Sequence, residues 1–237
     1  MTDQGTLDDH ITIAGRDGRF DAYVARPDAL PAPAVVVLHE VFGVNDDIRE
    51  HCDRLAADGF LAVAPDLFWR LEPGVDLSVT SQADWDHGVR LYQEFERDAG
   101  ARDVADAVAV VAKSPDCTGR VALLGYCLGG LMTFLATARG RVDAAIAFHG
   151  GETEKYLGEA GGLEAPLLMH LAGEDEFMPK EARDAIEAAL GSKPNVTIYT
   201  YPGQAHAFSR IGGAHYDAEA AALANRRTSE FLHQQLR

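Results

Sequence analysis

Val121-Ala122-Leu123-Leu124 runs into Gly125-Tyr126-Cys127-Leu128-Gly129-Gly130 and then into a helix-like segment, Leu131 to Ala138. A strand that becomes a helix within so few residues leaves room only for small side chains beside the pivot. The strained turn holds the pivot side chain above the sheet edge. Gly125 and Gly129 meet that demand, so the segment reads as a nucleophile elbow carrying cysteine. Such a unit belongs to a mostly parallel sheet with helices on both faces. A glycine-flanked cysteine by itself is more often packing than chemistry. The residues that follow it decide.

An elbow nucleophile needs a base and an acid, supplied in the order nucleophile, acid, histidine from loops after later strands. The apolar run Pro166 to Leu171 precedes the polar turn Ala172-Gly173-Glu174-Asp175-Glu176-Phe177, and Asp175 is the candidate acid. The β-rich run Val196 to Tyr201 breaks at Pro202-Gly203 and delivers Gln204-Ala205-His206, whose imidazole is the candidate base. Oxyanion stabilisation needs two backbone N–H donors, one from the residue after the nucleophile and one from an early loop. Leu128 fits the first. Val41, in His39-Glu40-Val41-Phe42-Gly43-Val44-Asn45, is the candidate for the second, with Asn45 able to cap the next helix. Glu40 is unusual there: a carboxylate beside a developing oxyanion hinders catalysis unless it has another partner, and the bland alternative is a solvated loop acid.

The remaining periodicity gives an α/β chain. Strands are predicted at Asp9 to Ile13, Phe20 to Arg26, Ala34 to Leu38, Leu61 to Ala64, Val121 to Leu124, Ala144 to Phe148, Leu167 to Leu171 and Val196 to Tyr201. Helices are predicted at Asp46 to Asp58, Gln82 to Asp98, Ala101 to Ser114, Leu131 to Ala138, Pro179 to Leu190 and Asp217 to Leu236. Leu67 to Thr80 is irregular, a loop suited to lie over the strand ends where ligands bind. With 237 residues, 47% of them hydrophobic, one domain spanning 1–237 is expected.

A formal charge of −16 argues against a nucleic-acid partner, because phosphate binding needs clustered Lys and Arg. It reflects either base composition or a saline habitat. No apolar stretch is long enough to span a membrane, and Met1-Thr2-Asp3-Gln4-Gly5 has no basic region followed by an apolar one, so a soluble cytoplasmic protein, monomeric or a small homo-oligomer, is expected. Three cysteines make no disulfide framework, and Cys52 and Cys117 are read as structural. No H-x-x-x-H, H-E-x-x-H or C-x-x-C spacing occurs, so neither metal nor cofactor is expected. His10, His51, His87, His215 and His233 read as solvated. His170, His39 and His149 read as hydrogen-bonded structural residues, the last two more open to a site role because strand ends line sites.

Taken together, the motifs resemble the dienelactone hydrolases, or carboxymethylenebutenolidases, of the α/β-hydrolase superfamily. The resemblance runs from His39 to Asn45 through Pro65-Asp66-Leu67-Phe68, Gly125 to Gly130, Gly173 to Phe177 and His206-Ala207-Phe208-Ser209-Arg210, to Ala221 to Thr228. It implies an α/β-hydrolase fold of about eight strands. It also implies an ester or lactone hydrolase with Cys127, His206 and Asp175 as triad, Glu40 as a carboxylate that helps to switch the thiol, and Arg210 as the ligand of a substrate carboxylate.

Well-known members of that family hold the carboxylate with a second arginine, and a gap-free count from the cysteine motif puts Trp85 there. Either Arg90 substitutes, or the pocket is less anionic and more aromatic, with Trp85 and Tyr92 toward an acyl or ring group. Both aromatics could also simply pack the helix on the core. Two other classes stay open: a thiol redox sensor, which usually has a resolving cysteine nearby, and a non-catalytic ligand-binding protein, which would lack a triad member. Neither Cys52 nor Cys117 forms a C-x-x-C pair, and no triad member is missing.

Overall fold

The computed structural model describes residues 9–236; Met1 to Gly5, read above as leaderless, lie outside them. Eight strands, β1 (His10–Gly15), β2 (Gly18–Ala25), β3 (Ala32–Leu38), β4 (Leu61–Pro65), β5 (Cys117–Tyr126), β6 (Ala144–Phe148), β7 (Leu167–Ala172) and β8 (Val196–Tyr201), form one sheet in the order β1-β2-β4-β3-β5-β6-β7-β8. β1 and β2 form an antiparallel hairpin that joins β4 antiparallel, and all later pairings are parallel. Parallel strands are covered on both faces and so read as unbroken apolar runs. Within β3, Ala34, Val36 and Leu38 point into one core and Val35 and Val37 into the other.

The first core is covered by α2 (Gln82–Glu94), α3 (Arg97–Val111), α4 (Leu128–Arg139) and α5 (Lys180–Leu190). The second lies under α1 (Asp46–Ala57) and α6 (Ala218–Leu236). Asn45 caps α1 as expected, its Oδ1 accepting from the Ile48 N–H at 3.2 Å. Among the described residues no helix is long and apolar enough to cross a membrane.

Some boundaries differ from the sequence reading, each for a local reason. β5 begins at Cys117, before its apolar run, because Cys117 registers with Ala32 across an irregularity although Thr118 to Arg120 are exposed. The single helix expected over 82–98 ends at Glu94, and α3 starts at Arg97. Phe95 between them is extended (ψ 121°), with its ring where a side chain at Gly100 would stand. A 3-10 helix, Thr153–Gly162, was not foreseen, since its glycines and acids carry no helical stripe. The irregular 67–80 segment is pinned by Asp66, whose carboxylate accepts from the N–H of Phe68 (2.9 Å) and of Gly74 (2.8 Å).

Candidate active site

Parallel strands put their carboxyl ends along one edge, and there the loops after β3, β5, β6, β7 and β8 converge. Cys127 sits between β5 and α4 with φ 52° and ψ −112°, a conformation L-residues rarely adopt. The strain is held by backbone hydrogen bonds on both sides: Cys127 N–H donates to Phe148 O and Gly129 N–H to His39 O, each at 3.1 Å. A Cβ at Gly129 would collide with the Leu38 carbonyl, and one at Gly125 with the Gly129 carbonyl, so glycine is required at both positions. The thiol is left partly exposed at the helix N-terminus. Leu128 is the first residue of α4, so its N–H has no intrahelical acceptor.

His206, after β8, directs Nδ1 at Asp175, 3.0 Å from each carboxylate oxygen. The Cys127 side chain is near enough to the ring to favour the imidazolium. Asp175 is fixed in turn, Oδ1 accepting from Phe177 N–H at 2.9 Å and Met178 N–H at 3.1 Å. Burial raises the Asp175 pKa, but the His206 ring outweighs burial and holds it below the usual carboxylate range. For His206 burial opposes the charged form, while Cys127 and Asp175 more than compensate and lift its pKa to about 10. The imidazole is thus a strong proton acceptor facing the thiol.

Glu40 is no solvated loop acid. It is buried, and its Oε2 accepts from Arg210 Nε at 2.5 Å. Burial disfavours its charge, but the guanidinium, with His149 beside it, holds the carboxyl well below the usual range. His39 braces the loop: its Nε2 accepts from Leu67 N–H (2.9 Å), leaving Nδ1 to donate to the Glu40 carbonyl (2.6 Å). The Val41 carbonyl lies against Gly88 of α2, where a Cβ would come within 2.5 Å of the oxygen, so loop and helix are pressed together.

A cleft of about 290 Å³ opens above His206, walled by Thr80, Trp85, Phe177, Ala207 and Arg210. Trp85 faces it, packed between Phe42 (ring centroids 5.7 Å) and Phe177 (6.1 Å); Phe177 also meets His206 edge-on at 4.9 Å. Arg210 stacks on Phe42, 4.9 Å from the ring centre. Arg90 is exposed on α2 and Tyr92 hydrogen-bonds Glu152 at 2.8 Å; neither lines the cleft, so neither takes the place considered for it. Other surface hollows, one of about 330 Å³ beside the β1–β2 hairpin, include neither His206 nor Arg210.

The chain matches the model of the dienelactone hydrolase family over residues 20–236. It belongs to that family. It is 44% identical, over 94% of its length and 96% of the relative's, to a provisionally named carboxymethylenebutenolidase of Azospirillum brasilense. It is 37% identical to the carboxymethylenebutenolidase of Pseudomonas putida, over 95% and 96% of the two chains. Among solved structures it resembles a provisionally assigned dienelactone hydrolase from Klebsiella pneumoniae, with TM-score 0.84 at 26% identity, covering 95% of this chain and 97% of that one. The fold is accordingly the α/β-hydrolase fold of dienelactone hydrolases.

Two histidines depart from the sequence reading. His51 is buried rather than solvated, because it lies on the inner face of α1 with Nδ1 3.2 Å from Tyr126 OH. His149 is buried at the end of β6 with φ 35°, but its ring makes no well-formed hydrogen bond: Nε2 stands 3.5 Å from Glu40 Oε1, and Nδ1 has no partner among the described residues. Its ring packs edge-on against His206, centroids 4.6 Å apart. Only its place at a strand end hinted that it belongs to the site. Phe177 was missed as a cleft residue, although it adjoins the acid's motif. His170 has the structural role expected, hydrogen-bonded to Tyr201 OH (2.8 Å) and Thr228 Oγ1 (3.1 Å).

Proposed function

We propose that this chain hydrolyses lactones or esters through a thioester formed on Cys127, as a dienelactone hydrolase-like enzyme. The observation that carries the reading is the Asp175–His206 pair, with His206 lining an open cleft and the Cys127 thiol on a strained elbow near its ring. His206 accepts the thiol proton, and Asp175 fixes its tautomer and stabilises its cation. The thiolate adds to the carbonyl, and the developing oxyanion is met by the N–H groups of Leu128 and Val41. The C–O bond breaks, the alkoxide or enolate leaves with the proton from His206, and water activated by His206 hydrolyses the thioester. Thiolate leaves more easily than an amine, so esters and enol lactones are favoured over amides.

Glu40 and Arg210 act as a gate in this scheme. Arg210 spends its Nε on Glu40 in the resting enzyme, so a substrate carboxylate that reaches Arg210 competes with Glu40 and frees it to relay the thiol proton to His206. The Trp85 and Phe177 rings beside a single arginine favour substrates with a ring or unsaturated acyl group over strongly anionic ones. A screen of the purified protein against dienelactones, aliphatic lactones and aryl esters, with and without a free carboxylate, tests the reading. Wild type should turn over at least one class, and His206→Ala should lower kcat/KM by roughly 10³ while remaining folded. Activity of His206→Ala within about tenfold of wild type would refute the assignment.

A further inference from the structure

Glu40, His149 and His206 come from the loops after three different strands, yet one donor atom of each lies within 4.8 Å of the others. The Cys127 side chain lies outside this trio but near enough to His206 to favour its charged form. Glu40 gives Oε2 to Arg210, which leaves Oε1 turned toward His149. His206 is engaged by Asp175 at Nδ1, which leaves Nε2 for a ligand. This carboxylate-to-imidazole bond is the outer-shell arrangement that orients histidines on zinc. His149 supplies the independent sign. It is fully buried, its ring lacks a well-formed hydrogen bond, and it is aimed at Glu40 and His206, although a buried imidazole is normally satisfied.

We propose that Cys127, His206, His149 and Glu40 form a binding site for one zinc ion, whose occupancy reversibly shuts down the hydrolase. Donor atoms around tetrahedral zinc stand roughly 3.3–3.8 Å apart, given bond lengths of about 2.0–2.3 Å. Drawing the Glu40, His149 and His206 atoms in from within 4.8 Å therefore takes side-chain shifts of about an ångström. One thiolate and two imidazoles select zinc and its transition-metal neighbours over magnesium and calcium, which prefer oxygen ligands. Zinc takes the place of the thiol proton and occupies the free nitrogen of His206, so both the nucleophile and the base are withdrawn. The shutdown rests on the hydrolase reading; metal binding does not.

The test is titration of the full-length protein with Co²⁺, followed by competition with Zn²⁺. One equivalent of cobalt should give tetrahedral visible bands and a near-ultraviolet thiolate-to-cobalt band, both erased by zinc. Cys127→Ser should lose the thiolate band, while Cys52 and Cys117, both buried, contribute none. His149→Phe should weaken zinc binding at least tenfold. Glu40→Gln, checked for folding by circular dichroism, should weaken it as well and covers failure of the first variant to fold. Zinc should abolish ester turnover, EDTA should restore it, and magnesium at the same concentration should leave it unchanged. Absence of a one-to-one thiolate band, or folded His149→Phe and Glu40→Gln proteins that bind zinc like wild type, would overturn the proposal. A protein that binds zinc as described but hydrolyses no ester or lactone would retain the metal site and refute the hydrolase reading instead.

Discussion

Arg210 and Glu40, 170 positions apart in the chain, meet in an ion pair with Nε 2.5 Å from Oε2 and side-chain exposures of 11% and 5%. Removing one partner of a buried pair strands the other charge, which costs about 3–5 kcal/mol, whereas removing both can be nearly neutral. Arg210→Met should therefore lose about 3 kcal/mol of unfolding free energy, and the double variant Glu40→Gln/Arg210→Met should regain most of it. Urea unfolding of the three proteins checks this. A single variant within about 1 kcal/mol of wild type would show that the pair is open to water.

Specificity should follow the cleft walls. Arg210→Met should penalise carboxylate-bearing esters by about 1–3 kcal/mol in kcat/KM relative to neutral analogues, because a charge-assisted hydrogen bond is lost only for the former. Trp85→Arg should move the preference the other way, toward anionic lactones, since Trp85 stands in the cleft wall with Arg210. Equal losses on both substrate classes for Arg210→Met would make that residue structural.

Acid should weaken the fold through its buried neutral histidines. Burial, with help from the Arg227 cation, depresses the His170 pKa to about 3, and burial with Arg54 takes His51 to about 4. Between the ordinary value of about 6.5 and these folded values the unfolded chain binds more protons, so stability falls as pH falls through that window. From pH 7 to pH 5, His170 alone should account for about 2 kcal/mol. Wild type should lose that much more than His170→Phe in urea unfolding over the same interval. Parallel losses would mean that His170 takes up a proton in the folded state.

Most of the fold was legible because buried parallel strands carry their signal in continuous apolar runs, as in Ala34 to Leu38, and because Gly125 and Gly129 mark an elbow only small residues permit. Cys127, Asp175 and His206 could be lined up because loop order along a parallel sheet maps directly onto position along its edge. What escaped depends on side-chain direction and long-range pairing. The Glu40–Arg210 contact leaves no local pattern, and the burial of His51 follows from its face on α1. His149 looks like any strand-end histidine until the loops after β3, β6 and β8 are brought together.

The central claim is that Cys127 carries the acyl group. Turnover of a slow aryl ester, quenched in the steady state and followed by peptide mass analysis, measures it directly. The account predicts an adduct of acyl mass on the peptide containing Cys127, absent from Cys127→Ser and lost when the quench is delayed until substrate is exhausted. Steady ester turnover with Cys127 unlabelled, or undiminished turnover by Cys127→Ser, would contradict it.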